Sequence, residues 1–546
     1  MKQIIINIFL ILPLFVFGQT KNHFSAGFES IAQYYVDDKK TGEFDDENQF
    51  RSNNYLAIDY TFQKFKVGIQ FESYIPQALL NYSASFDKEF AVATFYAQFK
   101  SSETDALIGY FYEQFGSGLI FRSWEDRQLG LNNSLLGGRI RYKAFEYLSF
   151  SGIYGKQRIG FDLSNGQIFG LNSEIDLSPV FKTNNNINMG LSYIGRNENF
   201  ERESELNETT HAYSGRINYT INNLYSNIEF IYKSLDALVE QGFIFTNKGF
   251  TGNGLLWNVG YSQKGFGIDA TFRRLENMSF YTDREASGNI DNELLVNYIP
   301  SLTKQHNYNL TNIYVYQSQP QLSFFPLKKA GEIGYQVDLF YRIKKGTFLG
   351  GKYGTKIALN YSNWHGLRAD FDVIERTYSS DFLKYGDKYF SDFNIEIKKK
   401  WSKKWFSILM YSNIFYSKKY IEEKLGSVNA DIFIVENTYR FLNNRSTRLV
   451  LEHLSTNEDQ KNWVSGLLEV NISPIFSIFV SDMYNYGNDR EIEKIHYYNF
   501  GGSFSKNRSR LALSYGRQRG GLICIGGVCR NVSPSTGLTI NFSTSF

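Results

Sequence analysis

From Phe24 to the end of the chain, apolar and polar residues alternate in short segments separated by polar turns. Val67, Ile69 and Phe71 alternate with Lys66, Gln70 and Glu72; Ile217 and Tyr219 with Arg216 and Asn218; Ile268, Ala270 and Phe272 with Asp269, Thr271 and Arg273. Val337, Leu339 and Tyr341, then Ile357, Leu359 and Tyr361, then Phe393, Ile395 and Ile397 continue the pattern. A period of two marks strands with two unlike faces. A charge at every second position is costly against lipid and tolerated in a wet lumen, so the pattern predicts an apolar outer face and a polar inner one. In the last segment Leu538, Ile540, Phe542 and Phe546 share one face, with Thr544 the only polar residue among them. Every backbone group in lipid must pair, which only helices and closed barrels allow. A chain ending this way predicts the closing strand of an outer-membrane β-barrel, with those four apolar residues as its barrel-assembly signal.

The connections predict the architecture. Gln63-Lys64, Ser101 to Asp105, Asn184 to Asn186, Gln263 to Gly265, Lys344 to Gly346, Asn443 to Ser446 and Lys506 to Ser509 are short, and longer ones fall between them. Counted this way, the chain predicts an all-β, transmembrane, antiparallel up-and-down barrel of about 24 strands. Short turns and both termini face the periplasm, and long loops face outward. Pro at 76, 179, 300, 320, 326, 474 and 534 falls in or beside connections, as suits a residue with no N–H to give a ladder. One interval breaks the rhythm. Residues about 276–330 hold three of those Pro and the aromatic-polar run Tyr308 to Tyr316, predicting a long ordered loop or plug-like insertion over or into the mouth.

Met1-Lys2, the apolar run Ile4 to Phe17 and Gly18-Gln19-Thr20 have the layout of a secretory signal peptide over 1–20, leaving 21–546 as one barrel domain. Beyond it no apolar run approaches the ~18 residues of a transmembrane helix. The whole chain is 17% aromatic, with 39 Tyr and 48 Phe, which suits aromatic girdles at two interfaces. These features predict the outer membrane of a Gram-negative cell, with outer-membrane lipid and lipopolysaccharide around the barrel and the assembly machinery as a partner during biogenesis. Net charge is only +3 with both signs interspersed, which argues against nucleic acid as a partner.

Candidate chemistry is sparse. In the block Gly109 to Gly130, Gly116 and Gly118 permit a bulge or close backbone approach, and Glu113, Arg122, Glu125, Asp126 and Arg127 gather charge at the outer end of a strand. With Arg139 and Arg141, these predict lumen or mouth positions. Lys66, Arg216 and Lys356 against Glu72, Glu229, Asp269, Glu396 and Glu436 predict a lumen of mixed sign, giving weak ion selectivity or an internal salt-bridge lattice. Tyr154-Gly-Lys-Gln-Arg158 and Tyr515-Gly-Arg-Gln-Arg519 repeat one motif. On the face of the two tyrosines, Lys156, Arg158, Arg517 and Arg519 either meet lipopolysaccharide phosphates or pair with Glu113, Glu125 and Asp126 to brace loops. Acidic stretches at 37–47 and 198–208 lack EF-hand spacing and read as solvated loops, so no metal or cofactor is nominated. Lys398 to Lys404 around Trp401 and Trp405 reads as a membrane-edge turn.

Together with Cys524-Ile-Gly-Gly-Val-Cys529, these blocks resemble a large uncharacterised outer-membrane barrel family of the Bacteroidota, a domain of unknown function. The resemblance implies the barrel fold and carries no activity. In the cysteine segment, Gly526-Gly527 supplies the positive φ angles of a two-residue turn, placing Ile525 opposite Val528 and Cys524 opposite Cys529. The cysteines form a non-hydrogen-bonded pair with Cα atoms about 4.5 Å apart, within reach of a disulfide. An oxidising compartment then predicts a Cys524–Cys529 bond on the hairpin between the last two strands.

GxSxG, HExxH and GxxxxGK[ST] are absent and the six His are dispersed, so the chain does not read as an enzyme. Two readings stay open. One is a channel or gated transport barrel for small polar solutes; the other is a non-enzymatic accessory or scaffold barrel of a secretion, assembly or surface complex. With the first strand near Phe24 and no plug domain expected before it, a TonB-dependent transporter is disfavoured.

Overall fold

A computed structural model describes residues 22–546 apart from 43, 45–47, 83–84, 87–88, 180, 182–184, 200–205, 241, 287, 290–291, 442–443 and 526–527, and the backbone alone at 523–525 and 528. The predicted signal peptide, the Gly526-Gly527 turn and the acidic residues at 43–47 and 201–205 lie outside the described residues.

Among the described residues, 24 strands form one antiparallel sheet that closes on itself. Each strand pairs with its neighbours in the chain, and the first, His23–Tyr35, joins the last, Ser535–Ser545, with Phe28 opposite Thr544. Number and order are those the alternation predicts. Closure leaves no strand edge unpaired, which a lipid-embedded sheet requires. Among the described residues no helix is long and apolar enough to cross a membrane; the α-helix Lys418–Glu422 is five residues long.

Ile108, Leu171, Leu191, Phe433 and Leu451 point outward and are 52–68% exposed, while their neighbours Ser192, Ile432 and Glu452 point inward and are buried. An apolar surface around buried polar side chains inverts the usual order of a water-soluble fold and matches a lipid-facing wall. Aromatic pairs rim one end: Phe65–Phe99, Phe145–Tyr147, Trp401–Trp405 and Tyr439–Phe441 have ring centroids 5.0–5.6 Å apart. That end also holds the start of the first strand, the end of the last and the connections predicted as short turns, of which those at 184–186 and 344–346 belong to longer ones, residues 177–185 and 344–354.

The opposite end departs from the prediction that all its connections are long. Ile159 to Asp162, Glu240 to Phe243 and Asp372 to Thr377 are short there, because strands of up to 24 residues, such as Thr377–Lys400, rise beyond their neighbours before turning.

The inner wall corrects a second expectation, since it is not polar throughout. Nearest the short turns it carries Asn172, Asp269, Asn360 and Glu396. Nearest the loops, Ile168, Ile194, Ile231, Ile333, Ile432 and Leu454 point inward and are fully buried. Two connections fold inward and cover them. One is the block after Gly109: its strand ends at Phe111, and Gly116 (φ +55°) and Gly118 (φ +93°) turn the chain back on itself, so that Gln114–Phe115 pairs with Phe121–Arg122. These glycines therefore make a turn rather than a bulge. The other connection is residues 277–330.

Candidate functional site: a segment held across the barrel interior

Residues 277–330 join the strands Phe266–Glu276 and Gly331–Ile343. Near the root of the segment, Met278, Phe280 and Val296 pack with Phe115 and Leu119 to Phe121 on inner residues of the arc from Thr104–Phe111 to Leu224–Glu240. Farther along, Tyr308, Leu310, Tyr314 and Tyr316 pack on Trp364, Tyr389, Met410, Ile432, Val450 and Trp463, on the arc from Thr355–Asp372 to Phe476–Tyr484. In a closed ring of 24 strands the two arcs lie on nearly opposite sides. Leu322 and Phe324 then return to Phe250, Ile333 and Leu367 near the root. The segment thus crosses the interior and comes back.

Little regular structure pairs its backbone internally, and a buried peptide group without a partner is costly. The wall supplies the partners. The Arg273 guanidinium donates to Pro300 O (2.7 Å), Ser318 Oγ (3.1 Å) and Glu332 (2.6 Å). The Glu332 carboxylate also accepts from the Tyr316 hydroxyl (2.5 Å) and the Gln319 N–H (2.7 Å). The Glu452 carboxylate accepts the N–H groups of Asn309 (3.1 Å) and Leu310 (2.8 Å). Trp364 Nε1 donates to Leu302 O, Lys233 Nζ to Ser279 O, and Arg196 Nη1 to Tyr281 O. Arg284 of the segment joins Arg196, Asp236 and Glu198 in a buried four-charge knot in which Asp236 lies 2.6 Å from Arg196 and 3.0 Å from Arg284. Arg273 is legible in the sequence only as a polar-face residue of its strand, and Glu332, Glu452, Arg196, Asp236 and Arg284 do not stand out there. Burial holds His306 of the segment below its ordinary range.

The residues singled out from the sequence fall into three settings. Glu113 receives both Arg141 Nε and Nη2 at 2.8 Å, and Asp105 receives Arg139 at 2.9 Å, in the inner wall near the short turns. Glu125 and Glu29 hold Arg127, whose guanidinium lies 4.2 Å from the Tyr55 ring; Asp126 caps its own turn by accepting the N–H groups of Gln128 and Leu129. Arg122 stacks 4.0 Å from the centroid of Tyr298.

The motif arginines find other partners than those expected. Arg158 is 1% exposed and forms a two-pronged ion pair with Glu72 (2.6 and 3.0 Å). It leaves the outward face of Tyr154 because the ladder is irregular between Lys156 and Arg158, where Gln157 alone stands opposite Ser164 to Gly166, and Gln157 and Arg158 are both buried. Lys156 stays on the side of Tyr154, half-buried. Arg517 pairs with both oxygens of Asp38 (2.7 and 2.9 Å), and Arg519 donates to Asn312 O of the inserted segment. Glu113, Glu125 and Asp126 serve none of them. Leu538, Ile540 and Phe542 lie on the outer face of the last strand, with Phe542 6.2 Å from Phe28 across the closure. In the hairpin Gly521–Ile525 with Val528–Val532, Cys524 lies opposite Cys529 and Ile525 opposite Val528; the Cys524 side chain lies outside the described residues.

Two features remain open to solvent. The arc Asn499–Lys506, Ser509–Gln518, Ser535–Ser545 and His23–Tyr35 contributes no residue to the clusters that hold the segment, among the described residues. Its inner positions include the uncharged Ser503, Ser514, Thr539, Asn541 and Gln33, with Gln33 donating to Thr539, and two charges nearer the short turns, Glu29 and Arg510. At the loop end a cavity of about 580 Å³ is bounded by several connections, including residues 279–299 and 317–329.

The fold defines a transmembrane β-barrel whose interior is crossed by one of its own connections. The chain belongs to the family of unknown function DUF6029, whose model matches residues 1–546. No curated protein matches it. Solved structures with a similar fold include a BenF-like porin from Pseudomonas fluorescens Pf-5 (9% identity, TM-score 0.36, 85% of this chain and 98% of that one). They also include Pseudomonas aeruginosa OccK8 (OprE) (9%, 0.38, 96% and 98%) and Acinetobacter baumannii OccAB3 (9%, 0.36, 96% and 99%).

Proposed function

We propose that the protein is an outer-membrane channel for small polar solutes, narrowed by residues 277–330. The observation that carries this reading is the division of the inner wall. Nearest the loops two opposed arcs are apolar and covered by the segment, whereas the arc from Asn499–Lys506 through Ser535–Ser545 to His23–Tyr35 keeps mostly polar side chains and no cover from it. A barrel of this size encloses more space than its own side chains fill, so an uncovered polar arc offers a wetted path. Acidic and basic groups near the short turns largely pair with one another, as Arg139–Asp105, Arg141–Glu113 and Arg448–Glu436 do, so the path favours neither sign strongly.

The test is cysteine accessibility in planar bilayers, in a Cys524→Ser, Cys529→Ser background. A bulky charged thiol reagent is expected to cut the conductance of Ser514→Cys and Thr539→Cys and to leave Ile432→Cys untouched. Absence of conductance in the wild type, together with a stable partner copurified from native membranes, would replace the channel with an accessory barrel.

A further inference from the structure

We infer that the 580 Å³ cavity at the loop end is a binding site for neutral oligosaccharides. Its volume lies within the range of small-molecule sites. Eight of its 30 lining residues are Asn or Gln, among them Asn292, Gln317, Gln321 and Asn531. An amide both donates and accepts, as a sugar hydroxyl does, so a wall rich in amides suits a ligand whose polar groups all do the same. Sugar rings also carry apolar C–H faces. Trp124 and Tyr298 meet these in the same wall, edge to face at 5.5 Å and 74°, with the Arg122 guanidinium holding the Tyr298 ring from 4.0 Å.

Charge selects against anions. Glu240, Glu422 and Glu423 line the cavity against one basic residue, Lys329, a formal sum of −2. The Lys329 ammonium is already engaged by Gln319 Oε1 (3.1 Å) and Tyr420 O (3.0 Å). The walls are also fixed in advance: Asn133 accepts the Trp124 N–H at 2.6 Å and donates to Leu295 O at 3.2 Å. A site that needs no ordering on binding keeps more of its contact energy as affinity.

Binding here does not depend on conduction, so it is read without a membrane. The purified full-length protein in detergent is titrated with maltotriose, cellotriose and chitotriose, and with trigalacturonate and trialanine for comparison, following tryptophan fluorescence and heat of binding. At least one neutral trisaccharide is expected to bind saturably, with the fluorescence change lost in Trp124→Phe. Gln317→Ala and Asn531→Ala remove side chains with no hydrogen bond to another described residue. Each is expected to weaken binding about three- to tenfold, the worth of one hydrogen bond, while heat-modifiable folding is unchanged. The inference is overturned if no neutral trisaccharide binds at millimolar concentration, if the variants bind as the wild type does, or if trigalacturonate or trialanine binds more tightly.

Discussion

Glu332 is the point at which the inserted segment can be loosened with least damage to the barrel. It is fully buried, and its two oxygens accept three bonds: from Arg273 at 2.6 Å, the Tyr316 hydroxyl at 2.5 Å and the Gln319 N–H at 2.7 Å. Arg273 in turn holds Pro300 and Ser318. In Glu332→Gln the size is kept and the charge removed, which leaves Arg273, 1% exposed, as a buried cation without its partner. Breaking one side of such a pair costs about 3–5 kcal/mol. The amide oxygen still accepts one bond, worth about 1 kcal/mol, so about 2–4 kcal/mol is lost. At ~1.4 kcal/mol per factor of ten, the unseated population rises roughly 30- to 700-fold.

The loss falls on the segment, because Gly331–Ile343 remains paired along both sides. Single-channel recording is expected to show more frequent or longer large openings, and limited proteolysis to cut within residues 302–316, with heat-modifiable mobility intact. Arg273→Met with Glu332→Leu should recover much of the closure, since an apolar replacement removes the desolvation cost along with the attraction. Wild-type openings and protease resistance in Glu332→Gln would refute the argument, and so would a double variant as leaky as the single one.

Glu276 lies opposite Gly331, so a two-residue turn can replace residues 277–330; conductance should rise with barrel folding intact, and unchanged conductance would remove the segment from the path. His306 is held low chiefly by burial, with Lys304 and Lys398 acting in the same sense and Glu396 and Asn394 against it. The seated state therefore favours the neutral ring: its contribution is intact near pH 7 and is lost as pH falls below about 6.5, so openings should increase on acidification in the wild type and not in His306→Gln. Denatured, unreduced protein should expose no thiol to labelling if Cys524 and Cys529 are bonded; two labelled thiols per chain refute the bond. Protease added to intact cells should cut at 37–47 or 198–208 and spare 344–346 and 506–509, and the reverse pattern would invert the orientation.

The strands were legible because a pleat forces period two and a lipid boundary forces a difference between its faces. That reasoning fails where the boundary changes. Ile432-Phe433-Ile434-Val435 is apolar on both faces because one faces outward and the other meets the inserted segment. The run was a visible signal of a strand with a dry interior behind it. Arg158 was misplaced because an irregularity in the ladder beside Gln157 breaks the alternation without leaving a mark in the sequence. The bracing groups were hidden for another reason. Glu452 and Leu310 are 142 residues apart, and no spacing rule links a wall carboxylate to an N–H brought beside it by a chain crossing the lumen.

Two kinds of force hold that crossing, and they respond differently to water. Arg273, Glu332 and Glu452 are expensive to keep dry and cheap to hydrate, so once the segment leaves, a wet lumen recovers much of what their bonds supplied. Ile194, Ile231, Ile432 and Leu454 behave the other way, because every Å² of them uncovered to water costs about 25 cal/mol. The charged groups therefore fix where the segment sits and penalise a broken pair, while the inner aliphatic residues supply the part of the seating that water does not return. The strand ladder depends on neither, since it closes through backbone bonds around the whole ring. A barrel with a self-sufficient wall can carry a crossing segment whose release is tuned by inner side chains, aliphatic and charged, without the closed sheet being rebuilt.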